Sequence, residues 1–163
     1  MKIIPLIIAL LIANITQARI GDTHKELVER FGAPNKVTKE SLSAVWAFED
    51  FGYMVIFSES GKSITEMIFS FDTKKLTQTQ ITKFLLANGK EWRKLKEGST
   101  DGETWQSFQF KLSFNASYYT DSSEKLLALE NTISDTWTIV NKEGFTSMRN
   151  TVKAQDEANA VDF

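Results

Sequence analysis

Ile20-Gly21-Asp22-Thr23-His24-Lys25-Glu26-Leu27-Val28-Glu29-Arg30-Phe31-Gly32-Ala33-Pro34 carries both a helix start and a helix stop. Thr23 and Glu26 have the spacing of a capping box, in which each side chain serves a backbone N–H that the first turn leaves unpaired. Gly32 can take the left-handed conformation that closes a helix, and Pro34 cannot continue one, so the helix is expected to end near Phe31. Leu27, Val28 and Phe31 share one face. A helix this short is unstable by itself and must lay that face on another element.

The expected partner is the β-rich stretch from Val37 to Phe71. Val45, Trp46 and Phe48 open it. Tyr53 to Phe57 and Ser63 to Phe69 then flank Ser58-Glu59-Ser60-Gly61-Lys62, whose polar, glycine-containing composition is that of a hairpin loop. The pattern predicts an antiparallel meander with the helix on one face.

The order then begins again. Thr77 and Gln80 repeat the cap spacing, Ile81, Phe84, Leu85 and Asn88 run at helical intervals, and Gly89 offers a stop. Gly32 and Gly89 are 57 residues apart, and at about that lag Leu27-Val28 falls on Phe84-Leu85, the kind of offset an internal duplication leaves. Trp105 stands near the place of Trp46. Leu112 to Tyr119 and Lys125 to Glu130 flank Thr120-Asp121-Ser122-Ser123-Glu124 as a second hairpin, and Thr136 to Val140 forms one more candidate strand. Lys90 to Thr104 reads as a loop or irregular strand around Trp92 and Leu95. The expected fold class is α+β, with two related modules, 19–72 and 73–140, each a short helix packed on an antiparallel β-meander, followed by a polar C-terminal tail at 141–163.

Gly21-x-Thr23, the apolar helix, Phe31-Gly32-x-Pro34 and Trp46-x-Phe48 together resemble the small helix-plus-meander module of the BamE (SmpA/OmlA) outer-membrane assembly lipoproteins. Two such modules in tandem resemble the architecture of the beta-lactamase inhibitory protein. The first resemblance covers Ile20 to Phe69, about a third of the chain, and rests on caps, turns and core residues. It implies a fold and a bias toward protein binding in the periplasm. The chain departs from the pattern in having no lipid-bearing cysteine, and the second module lacks both the Gly-x-Thr opening and the proline exit.

Residues 1–18, MKIIPLIIALLIANITQA, have the form of a secretory signal peptide: Lys2 at the start, an apolar run from Ile3 to Ile15, and small residues at Thr16 and Ala18. The run falls well short of the ~20 residues a membrane-spanning helix needs, so cleavage after Ala18 and a periplasmic or extracellular location are expected over a permanent anchor. With Cys 0, no disulfide supports the exported fold and no thiolate is present to bind metal. Removal of 1–18 takes away one Lys and no acid, leaving 18 basic and 21 acidic side chains and a formal charge of −3. That balance argues against nucleic-acid binding, which needs a basic face.

Catalysis finds little support. His24 is the single imidazole and sits in the first helical turn, where an exposed surface role is the plain expectation. One histidine and no cysteine leave few residues for a zinc site, and no metal or cofactor is expected. Glu49 and Asp50 are adjacent carboxylates, but strand neighbours point to opposite faces, so a turn with Gly52 is favoured over paired acid-base work. Asn115-Ala116-Ser117 matches the glycosylation pattern, with a chance match in a strand the simpler reading.

The aromatic residues give the candidate site. Trp46, Trp105, Tyr118 and Tyr119 lie in or near proposed strands, and a sheet covered by helices on one face leaves another on which they could contact a partner. Tyr118 and Tyr119, as neighbours in a strand, should face opposite ways. The sequence thus leads to an expectation of an exported, non-catalytic protein-binding module with an unknown protein partner. The alternative is a small-ligand or cell-wall carrier with an aromatic pocket between the modules.

Overall fold

The computed structural model describes residues 19–38, 42–71, 75–95 and 116–160. Among them are three helices, α1 (His24–Phe31), α2 (Gln78–Asn88) and α3 (Lys142–Ala160), and eight strands. The strands are β1 (Lys36–Thr38), β2 (Ser43–Ala47), β3 (Phe51–Phe57), β4 (Ser63–Ser70), β5 (Arg93–Lys94), β6 (Ala116–Thr120), β7 (Leu126–Asn131) and β8 (Thr136–Asn141). All pair antiparallel in one sheet of order β1-β2-β3-β4-β8-β7-β6-β5. The fold is α+β.

Both helix starts follow from their local chemistry. In α1 the Glu26 N–H donates to Thr23 Oγ1 at 3.3 Å and the Thr23 N–H to Glu26 Oε2 at 2.7 Å. In α2 the Gln80 N–H donates to Thr77 Oγ1 at 3.2 Å and the Thr77 N–H to Gln80 Oε1 at 2.7 Å. The two stops differ. Gly32 has φ +80°, a conformation that favours glycine, whereas Gly89 is extended and is needed for space. A Cβ at position 89 would lie 2.8 Å from the Trp92 ring and 2.9 Å from Asp121 Cβ.

An indole closes each of these helices. Trp46 Nε1 donates to the Gly32 carbonyl and Trp92 Nε1 to the Leu85 carbonyl, each at 2.9 Å, the second oxygen also accepting the Gly89 N–H. Trp105, expected to match Trp46, lies outside the described residues. The two hairpin loops fall where the composition placed them, between β3 and β4 and between β6 and β7. In the second, the Asp121 carboxylate accepts from the backbone N–H of Ser123, Lys125 and Leu126 at 3.2, 3.0 and 2.9 Å, which fixes the turn.

Sheet register divides the side chains into two layers. On one face, Trp46, Tyr53, Ile68 and Trp137 are successive cross-strand partners, and Ala44, Val55, Glu66, Ile139 and Ala128 form the adjacent row. Leu27, Val28 and Phe31 of α1 and Ile81, Phe84 and Leu85 of α2 pack there, and this is the main core. On the opposite face Leu127, Leu129 and Val140 are covered by Phe145 and Met148 of α3. The stretch after Asn141, expected only as a polar tail, is therefore helical over Lys142–Ala160, and a few apolar side chains in its first two turns suffice to anchor it.

Gly144 sets how closely α3 lies on the sheet. An added Cβ would come 2.2 Å from the Ile64 carbonyl oxygen and 2.7 Å from Thr65 Oγ1. In an ordinary helix interior Gly→Ala gains about 1 kcal/mol. Here the clash reverses the sign, and Gly144→Ala is expected to cost on the order of 1–3 kcal/mol in denaturant unfolding. Unchanged or increased stability would show that α3 does not press on β4.

Candidate functional site

The proposed aromatic surface does not form from the described residues. Trp46 is buried at 2% exposure in the main core, with its ring 5.8 Å from Tyr53 and 6.1 Å from Phe31. Tyr119 faces the same side and packs at 5.3 Å on Trp137, while its hydroxyl donates to Glu130 Oε2 at 2.9 Å. Tyr118 faces the α3 side with Leu127 and Leu129. The two tyrosines diverge as strand alternation requires, so Tyr118 cannot share the face that carries Trp46 and Tyr119. Trp105 lies outside the described residues, as does Asn115. His24 is exposed, 6.2 Å from the Trp46 ring and 5.7 Å from that of Phe57. Glu49 and Asp50 occupy the exposed bend between β2 and β3.

Two other features are chemically distinct. The first is Glu66, fully buried on the helix-covered face of β4. Ser63 Oγ lies 3.3 Å from Oε1 and Asn88 Nδ2 donates to Oε2 at 3.1 Å. Among the described residues no cation pairs with Glu66; Arg30 Nη1 bonds Asp22 Oδ2 at 2.6 Å. The Tyr53 hydroxyl, also buried, faces the carboxyl without reaching hydrogen-bond geometry. Burial first, and the Glu66 charge second, push that hydroxyl well above the ordinary tyrosine range.

Proton counting favours a neutral Glu66. Ser63 Oγ owns one hydrogen, yet it stands within reach of both the Arg19 carbonyl, at 3.2 Å, and Glu66 Oε1. It also accepts from the Gly21 N–H at 2.8 Å. If Glu66 carries a proton, it donates to Ser63 Oγ and frees the serine hydrogen for Arg19, so the three groups are satisfied together. Burial accordingly pushes the Glu66 carboxyl up to about 7, with the Asp22 charge adding to the rise and the hydrogen bonds with Asn88 and Ser63 opposing it. Enclosed as it is, Glu66 cannot touch a substrate. It works as an internal tie between β4, α2 and the segment before α1.

The second feature is an apolar strip on the opposite face. Val45, Met54 and Met67 are successive partners across β2, β3 and β4, and Thr138, Leu129 and Tyr118 continue the row through β8, β7 and β6. Ile56 and Phe69 flank it two residues along their strands. Val45, Met54, Ile56, Met67 and Phe69 are all half-buried and belong to neither core cluster. Gly52 makes the strip flat, since a Cβ there would lie 2.3 Å from the Phe69 ring, which rests across β3. Met54 and Met67 were absent from the sequence-derived site. Their signal lies in the inward–outward alternation of Tyr53 to Phe57 and Ser63 to Phe69 once the register is known.

No family model matches the chain, and no curated protein matches it. Among solved structures it is similar to a DUF4309 family protein (YjgB) from Bacillus subtilis subsp. subtilis strain 168, at 14% identity, with 74% of this chain and 79% of that chain covered and a TM-score of 0.40. A likeness at that level fixes neither fold nor role.

The state of Glu66 has a measurable consequence. Its carboxyl titrates at about 7 in the folded protein against an ordinary value of 4.5, so between these pH values the folded chain holds the extra proton. Stability is full below the lower value, falls as pH rises toward about 7, and levels off above it. The loss is on the order of 3 kcal/mol. Urea unfolding from pH 4 to 8 should show this decline in the parent and a flatter profile in Glu66→Gln, which keeps the shape without the ionisation. Equal pH slopes in the two proteins would refute the assignment.

Proposed function

We propose that the protein is an exported, non-catalytic protein-binding module that engages its partner through the Val45–Met54–Met67 strip of the open sheet face. The observation that carries this reading is the contiguous row of half-buried apolar side chains across three adjacent strands. Methionine side chains adapt to varied shapes and a neighbouring phenylalanine supplies a rigid anchor, a combination suited to protein contacts. The signal-like residues 1–18 support export to the periplasm or beyond. Among the described residues no helix is long and apolar enough to cross a membrane.

The same proposal treats the chain as two related modules of the BamE-like kind, joined as in the beta-lactamase inhibitory protein. Support comes from the mirrored strand order about β4 and β8, from the paired capping boxes, and from the indole that closes each helix. The carrier alternative has less support. Side chains facing each other across the junction, Ile68 with Trp137 and Glu66 with Ile139, are all buried against their neighbours.

Photo-crosslinking tests the surface. A photoreactive residue at Met54 or Met67, introduced into the protein in the cells that make it, should yield a discrete heavier adduct on irradiation. The same residue at Lys25, whose side chain is 85% exposed on α1, should not. Adducts equally abundant at position 25, or none at 54 and 67, would overturn the proposal.

A further inference from the structure

The segment ahead of α1 is tied down more tightly than a chain terminus needs to be. Arg19 to Asp22 form a turn in which the Asp22 N–H donates to the Arg19 carbonyl at 3.0 Å and Gly21 takes φ +103°. Ile20 N–H donates to Asn88 Oδ1 at 2.7 Å, Gly21 N–H to the Ser63 carbonyl at 2.9 Å, and Ser63 N–H to the Asp22 carbonyl at 2.8 Å. The Arg19 backbone nitrogen itself lies 3.1 Å from Asp22 Oδ2, the oxygen that also accepts from Arg30. The Asp22 and Arg30 side chains are only 16% and 19% exposed, whereas Arg19 and its contact with Asp22 are exposed to solvent.

We propose that proteolytic processing between Ala18 and Arg19 completes this cluster, converting the Arg19 nitrogen from a neutral amide into an ammonium that pairs with Asp22. The inference rests on the export reading above. Hydrolysis by a signal-type peptidase adds one water across the bond: the Ala18 carbonyl carbon takes the oxygen and leaves as a carboxylate. The Arg19 nitrogen takes hydrogen and then binds a solvent proton. The amide donates one hydrogen bond to Asp22, whereas the ammonium brings a full charge and three donors to the same place.

The surroundings set the sign. Asp22 attracts the ammonium, while Arg30 of α1, bonded to the same carboxylate oxygen, and the exposed Arg19 guanidinium oppose it. Behind them stand the Glu66 carboxyl on β4 and the Tyr53 hydroxyl on β3. From α2 comes the neutral Asn88 amide. Asp22 Oδ2 contacts the Arg19 nitrogen directly, at 3.1 Å, and is shared with Arg30 at 2.6 Å, so the ammonium joins an existing pair on that oxygen. The processed amino terminus thereby acts as a latch, holding the turn on Ser63 and Asn88 through the same residues that enclose Glu66.

Three proteins test this: residues 19–163 with a free amino terminus, the same chain acetylated at Arg19, and the chain with Ala18 retained. At pH 7 the free form should melt several degrees above the other two, and the gap should close as pH rises past the titration of the amine. In an Asp22→Asn background the gap should be absent. NMR titration of the ¹⁵N-labelled terminus should place the amine above its ordinary range of about 7.7–8.0. If the three parent proteins melt together at pH 7, or the gap is independent of pH, the latch is refuted even where Asp22→Asn fails to fold. Intact mass of the protein recovered from its source separates the two readings: a terminus other than Arg19 rejects the processing site, whatever the engineered chains show, and an intracellular full-length chain rejects export.

Discussion

The antiparallel pairing of β4 with β8 is the constraint on which the rest depends. It joins two four-stranded arms edge to edge, so that the order on one side, β1-β2-β3-β4, is mirrored by β8-β7-β6-β5 on the other. Neither arm alone would cover its inner edge: the central strands present Glu66 and Ile68 beside Ile139 and Trp137, and these become core only when the arms meet. Once they meet, one face receives α1 and α2 and the other receives α3. The asymmetry of the molecule follows from that last helix, which covers Leu127, Leu129 and Val140 but leaves the β2–β4 strip half open.

Much of this architecture is legible in the sequence, where its signals are local. The Thr–x–x–Glu and Thr–x–x–Gln boxes predict both capped helices, and the polar loops 58–62 and 120–124 predict both hairpins, because caps and turns are decided by a few adjacent residues. The site was harder to read. Strand alternation leaves Trp46 a candidate for either face, and its indole is held inward by the Gly32 carbonyl and the rings of Phe31 and Tyr53, contacts that depend on tertiary structure. Glu66 lies in the alternation Ile64, Glu66, Ile68, on one side of β4 with two buried isoleucines. Its significance depends on Ser63 and Asn88 arriving from other directions. α3 escaped a helical reading for a different reason: its stability comes from Phe145, Met148 and the absence of a side chain at Gly144, and a composition rich in polar residues conceals so small an anchor.

The two faces of the sheet serve opposed demands. On the helix-covered face every large side chain in the central rows is enclosed, and the fully buried acidic group there, Glu66, has hydrogen-bonding neighbours in serine and asparagine. Such a group lacks access to solvent and to substrate, so its chemistry is spent on the fold. On the other face, Met54 and Met67 are neither fully exposed, which would invite aggregation, nor packed under a described helix. A row of partly covered, adaptable side chains is the arrangement from which a partner gains contact area with little rearrangement.

A buried carboxyl is a poor choice if stability alone matters, since an apolar residue of similar size would avoid the desolvation cost. Glu66 offers what an apolar residue cannot, a set of directional bonds. Through Ser63 it reaches Arg19 and Gly21; through Asn88 it reaches Ile20 and the last turn of α2. Three segments remote in the chain therefore share one polar hub, and misplacing any of them leaves a buried donor or acceptor unpaired. The hub thus stabilises little by itself but penalises alternative arrangements of the first turn against the sheet, and that penalty is what gives the short α1 helix a defined starting point.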